Sequence, residues 1–145
     1  MYESFETDKD FERKGIELEY GGFIVTIARA GGANKQYAKV LEAETRPYRR
    51  AIDTETMDPE VALDLMMKVA AKTLVTNWQV KEGEDDDAKW KKGIEPREGT
   101  KLLPVNYENI LLTFRALPAL YQDIYAQAQK VGLYLKTILE ADAKN

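Results

Sequence analysis

Strict alternation marks the start of the readable pattern. Ile16, Leu18 and Tyr20 share one side of an extended segment and Glu17 and Glu19 the other, the period-two signature of a half-buried strand. Gly21-Gly22 can supply the positive φ of a tight turn, and Phe23, Val25 and Ile27 resume the alternation, so a β-hairpin is expected. Gly31-Gly32 ends it. From Asn34, a candidate N-cap, Tyr37, Val40 and Leu41 recur at helical spacing; this helix should run to about Thr45, because Pro47 disfavours helical dihedrals in Arg46, and then kink and resume.

Asp58-Pro59 is the clearest helix start: an aspartate cap, a proline where the missing N–H costs nothing, and Glu60 near the positive helix end. The helix should extend to about Asn77. Val61, Leu65 and Val69, widened by Ala62, Leu63, Met66, Met67, Ala70 and Leu74, give an apolar stripe broad enough for a central, covered helix, in which Met66 and Met67 read as core fillers. WQVK and AKWKKGI, joined through an acidic run from Glu82 to Asp87, suggest a second hairpin with Trp78 and Trp90 as cross-strand neighbours. The acidic run lacks the alternating ligands and terminal glutamate of a calcium loop, so it reads as a solvated turn. Asn106 is a candidate cap for a helix ending before Pro118, which can open the last one. There Leu117, Ile124, Val131 and Ile138, with Tyr121, Ala128 and Leu135, follow heptad spacing and predict one long helix packed within the molecule or against a partner helix.

These elements predict an α+β fold, mainly helical, with one or two small antiparallel β-hairpins in a single domain over residues 15–139. An arm over residues 1–14 is expected to be mobile or loosely docked, and the polar tail, residues 140–145, to fray. The chain is 145 residues long, about one domain. Composition changes the functional picture more than the fold. No cysteine or histidine occurs, which removes disulfides, thiolate nucleophiles, Cys/His zinc sites, serine triads and imidazole proton shuttles. No cofactor, metal site or catalytic residue is expected, and enzymatic work is not. With 21 Lys+Arg against 25 Asp+Glu, bulk nucleic-acid binding is not expected either. The charged N-terminus and the lack of a long apolar run lead to the expectation of an intracellular, soluble chain with no membrane partner.

One cluster stands out chemically. Arg46, Arg49 and Arg50 surround Tyr48, with Arg29 a candidate neighbour; the group could grip an acidic partner, or form a solvated face neutralised by Glu42, Glu44, Asp53 and Glu55, the reading that the net charge favours.

Several stretches together resemble a known family: FETDKDFERKGIELEYGGFIVTIARAGGANKQYAKVLE, the TRPYRR after it, DPEVALDLMMKVAAKTLVTNW, LLPVNYENILLTFRALPALYQDIYAQAQ, and the tail ending in KN. They are similar to tail assembly chaperones of long-tailed bacteriophages, encoded beside the tape-measure protein. The resemblance implies a non-enzymatic factor of the host cytoplasm. It would bind the tape-measure protein, keep it soluble, help recruit tail-tube protein, and be absent from the mature virion. Self-association into a homo-oligomer is compatible with it. No family motif assigns the contacts; from side-chain chemistry alone the candidates are Tyr121, Tyr125 and Tyr134 together with Arg46, Tyr48, Arg49 and Arg50. The alternative is a structural virion protein of the tail tube or head-tail junction, which calls for more strand than these patterns supply.

Overall fold

In the computed structural model, residues 1–83, 89–97 and 99–144 are described. Both expected hairpins form, and they join. β1 (Ile16–Tyr20) pairs antiparallel with β2 (Phe23–Ile27) across Gly21-Gly22, Gly22 taking a φ of 111°. β3 (Val75–Glu82) lies antiparallel on the far side of β2 and carries β4 (Lys89–Lys92), giving one four-stranded antiparallel sheet in the order β1-β2-β3-β4. Two separate ribbons would each have left an apolar face in water; joined, they present Val25, Ile27 and Trp78 as one buried surface.

The tryptophans are not cross-strand partners, contrary to the sequence expectation. Trp78 sits opposite Val25 in the core, whereas Trp90 pairs with Lys81 on the other, solvent-facing side. The expected acidic turn lies largely in residues 84–88, outside the described residues.

Helices cover the apolar face of this α+β fold. After α1 (Lys9–Lys14), α2 (Lys35–Thr45) gives way at Pro47 to a 3-10 turn (Arg46–Tyr48), and the chain resumes as α3 (Arg49–Asp53), as the proline predicted. α4 (Pro59–Thr73) starts where expected, the Asp58 carboxylate accepting from Glu60 N–H at 2.8 Å, but ends short of Asn77 because the chain must already be extended at Val75 to meet Ile27. α5 (Tyr107–Ala116) is capped by Asn106, whose Oδ1 accepts from Asn109 N–H at 2.9 Å, and α6 (Pro118–Ala128) opens on its proline. Met67, Ala70, Ala71 and Leu74 of the α4 segment, Ile110, Leu111 and Phe114 of α5, and Tyr121, Ile124 and Ala128 of α6 close over Val25, Ile27 and Trp78.

Asn34 performs a different task from the one its position suggested. Its side chain makes no capping bond to α2; Nδ2 donates instead to the carbonyls of Arg29 (2.8 Å) and Thr73 (2.9 Å), stitching the exit of β2 to the end of α4.

The long final helix does not form. α6 stops at Ala128, a 3-10 turn spans Val131–Tyr134, and α7 (Lys136–Lys144) begins anew. Gly132 weakens helix here by roughly 1 kcal/mol, and the break has two uses. Tyr134 swings wholly into the interior, where its hydroxyl donates to Ile27 O at 3.0 Å. Leu135 pairs with Thr7 in an isolated antiparallel bridge, while Asp8 N–H donates to Tyr134 O and Lys136 N–H to Glu6 O, both at 2.8 Å. The heptad seam is cut, leaving Val131 and Ile138 exposed, and the expected polar tail is part of α7 as far as Lys144.

The same bridge fastens residues 1–14 more firmly than a loosely docked arm. Asp8 caps α1 by accepting from Asp10 and Phe11 N–H, and Glu12, only 2% exposed, points inward. Its carboxylate pairs with the Arg29 guanidinium and accepts from the Thr7 hydroxyl (3.1 Å) and Ala33 N–H (3.4 Å). A charge so placed is tolerable only because it is paired and hydrogen-bonded.

Candidate partner-binding site

Of the seven candidates, the structure brings four together at one corner. The proline-driven turn after α2 throws Arg46, Tyr48, Arg49 and Arg50 onto the surface, all exposed. Glu42 sits at their centre: it accepts from Arg46 Nε at 3.2 Å, from Arg46 Nη2, and from Arg49 Nη2 at 3.0 Å. The Arg46 hydrogen bond holds the Glu42 carboxyl below the usual glutamate range, helped by the charges of Arg46 and Arg49. Arg29 is not part of this cluster, being committed to Glu12. Two of the three surface arginines are thus partly neutralised, as expected for a solvated face, and such exposed pairs add little to stability. The surface beside them is mixed in polarity. Tyr48, 39% exposed, overlooks a shallow hollow of about 260 Å³ that it shares with Glu60, Val61, Asp64, Leu65 and Lys68.

The other three candidates face inward. Tyr121 packs against Phe114 with ring centroids 5.5 Å apart, and burial together with the nearby Tyr37 pushes its phenol up to about 12. Tyr125 is half-buried, hydrogen-bonded to the Tyr37 hydroxyl, and its phenol is likewise raised, first by burial and then by that bond. Tyr134 is fully enclosed, and burial raises its phenol also. The helical spacing that suggested a tyrosine-lined surface is the spacing of a core face, with each buried hydroxyl of Tyr125 and Tyr134 supplied with a polar partner. These residues pack within the protein, Tyr125 only in part.

A larger concavity lies where sequence reasoning did not look. An open groove of about 880 Å³ crosses β1, β2 and β3, with Phe11, Ile16, Leu18, Leu133, Ile138 and Leu139 among its apolar walls, Lys14, Glu17 and Asp142 as its ionisable members, and Thr26 and Thr76 also lining it. Phe11 is 44% exposed and Ile138 47%, large apolar side chains held in water by α1 and α7. Asn77 also lines it, and its Oδ1 is buried without a hydrogen-bond partner among the described residues. The available signal was Gly132: reading it as a helix break would have released Ile138 from the heptad seam.

The model of one protein family, described as YdaY prophage protein, matches residues 32–145. The chain belongs to that family. Membership makes this a phage-derived protein. No curated protein and no solved structure matches it. The YdaY match starts at the Gly31-Gly32 loop, so it covers the arginine corner and the α7 wall of the groove, whereas Phe11 and β1 precede it.

Proposed function

We propose that this YdaY-family protein is a tail assembly chaperone of a long-tailed phage: it binds the tape-measure protein in the host cytoplasm, keeps it soluble while tail-tube protein assembles, and leaves before the virion is complete. The observation that carries this reading is the open apolar groove across β1, β2 and β3, with Phe11 and Ile138 half in water at its mouth. A long helical client exposes an apolar stripe before its partners arrive, and a groove with apolar walls and a charged rim can hold such a stripe reversibly without an energy source. A bare α-helix is about 10 Å across, a size that suits an open trough better than a closed pocket. Prophage membership fits a phage protein, and the sequence resemblance to tail assembly chaperones supports the finer reading. The work is holding rather than chemistry, in keeping with a chain that has neither histidine nor cysteine.

Co-expression with the tape-measure protein encoded in the same prophage tests it. The client should become soluble and co-purify with the wild-type chain, and Phe11→Asp with Ile138→Asp should abolish this while the melting temperature is kept. A client that stays insoluble beside abundant folded wild-type protein would sink the proposal.

A further inference from the structure

The groove has a polar floor beneath its apolar walls. Leu18, Val25, Ile27 and Trp78 pack on the helix-covered core, so the alternation of each strand turns Glu17, Thr26 and Asn77 onto the opposite face of the sheet. The register sets Glu17 opposite Thr26 and Thr26 opposite Asn77, one row across three strands. All three line the groove, and α7 supplies a further wall through Ile138, Leu139 and Asp142.

This row is left unserved by the rest of the molecule. Asn77 Oδ1 is buried without a hydrogen bond among the described residues. Neither Glu17 nor Asp142 has an ion-pair partner among them, and Lys14, in the same groove, lies beyond ion-pair distance of both. Thr76 is the contrast. It is the extra residue where the β2–β3 register shifts, and its hydroxyl donates to Lys14 O at 2.6 Å.

An unbroken apolar stripe laid on this floor would strip water from Glu17 and Asn77 and return no hydrogen bond, so the row discriminates against such an occupant. A donor would be received. The two groove carboxylates outnumber Lys14, and a carboxylate and an orphaned carbonyl oxygen both only accept, whereas lysine and arginine head groups only donate. We propose that the groove selects a client helix whose apolar stripe is interrupted by one lysine or arginine, its head group donating to Glu17 and Asn77 and its aliphatic stem lying along Leu18 and Leu139. Rotation of the Asn77 carboxamide about its soft terminal torsion brings Oδ1 round to the donor. The inference rests on the groove being the seat of the client, and adds what the client must carry.

Fluorescence anisotropy with two labelled amphipathic peptides tests it on the full chain. The peptides are about twenty residues long, enough to hold a helix in water, and identical except at one central position of the apolar stripe, leucine in one and lysine in the other. The lysine probe should bind the wild type about tenfold more tightly than the leucine probe, and Ile138→Asp should weaken it, which places it in the groove. Asn77→Leu and Glu17→Gln should each shrink the preference, the first by improving the leucine probe, while Asn77→Asp keeps an acceptor and should preserve it. Asn77→Leu removes a buried unpaired acceptor and should melt no lower than the wild type; Glu17→Gln, at an exposed position, carries the same test should that variant not fold. Equal affinity for the two probes, a preference for leucine, a lysine preference untouched by both Asn77→Leu and Glu17→Gln, or binding of neither probe would each overturn the proposal. Solubilisation of the tape-measure protein through Ile138 can persist in all of these cases, so a failure of selectivity and a failure of client holding are told apart.

Discussion

Tyr134 offers the sharpest separation between a residue that builds the protein and one that meets a partner. Its ring is fully enclosed and its hydroxyl reaches Ile27 O at 3.0 Å across 107 residues of sequence. Tyr134→Phe deletes that bond alone. Ile27 also lies in the β1–β2 ladder, opposite Ile16, so its carbonyl keeps other hydrogen-bonding opportunities and the loss should stay at about 0.5–1.5 kcal/mol. Tyr134→Ala removes the ring as well and should cost about 3–5 kcal/mol, the range for emptying a large aromatic site. With an unfolding entropy of about 2.1 cal/mol/K per residue, a chain of 145 residues gains about 0.3 kcal/mol/K on unfolding. The phenylalanine variant should then melt about 2–5 °C below the wild type and the alanine variant about 10–17 °C below. Differential scanning calorimetry measures both, and capture of the tape-measure protein at a temperature where each variant is folded supplies the second readout. If Tyr134→Ala melted within about 1 °C of the wild type yet lost the client, the placement of this tyrosine in the core would be wrong.

Other perturbations test other joints. Glu12→Ala strands Arg29 and unties Thr7 and Ala33, and should cost about 3–5 kcal/mol in urea denaturation, whereas Glu12→Ala with Arg29→Ala should cost less than the two single losses added. Gly32→Ala drives a methyl group into the Glu12 carboxylate at a φ of +54°, so it should destabilise by about 1–3 kcal/mol, while Gly99→Ala, with open space around it, should show only the smaller cost of its own positive φ. Alkaline titration should reveal the buried phenols. Tyr20, Tyr121, Tyr125 and Tyr134 all hold their protons more tightly folded than unfolded, where tyrosine titrates near 10. Their contribution to stability is therefore complete below about pH 10 and is lost as the pH climbs through the folded values, about 12 for Tyr121. Tyrosinate absorbance should lag behind that of free tyrosine until the protein unfolds, and a full tyrosine titration at about pH 10 with the fold intact would contradict the burial.

The sequence showed local structure better than it showed direction in space. Alternation located the first hairpin, and proline and capping residues marked the starts of α4, α5 and α6, because those signals act within a few residues. The joining of the two hairpins depends on Val25 meeting Trp78, a contact between distant segments that no local pattern encodes. Heptad spacing misled at Val131 and Ile138: apolar residues at the right interval cannot report that Gly132 breaks the helix and that Thr7 takes Leu135 as a strand partner. The arginine corner was legible because a proline turn exposes whatever follows it. The tyrosines were not, since phenols suit an interface and a core equally well, and only Ile27 and Tyr37 decide which. The groove could not be seen at all, as its walls come from the first strands, β3 and α7, segments far apart in the chain.

Binding of the tape-measure protein to the wild-type chain and to Ile138→Asp, compared by isothermal titration calorimetry, puts the central claim to its most direct test. The wild type should bind with a negative heat-capacity change from apolar burial, and the variant, equally folded, should bind at least about tenfold more weakly, the loss of one half-exposed isoleucine contact of about 1.4 kcal/mol or more. Equal affinity for both proteins, or no binding by either, would contradict the groove as the seat of function.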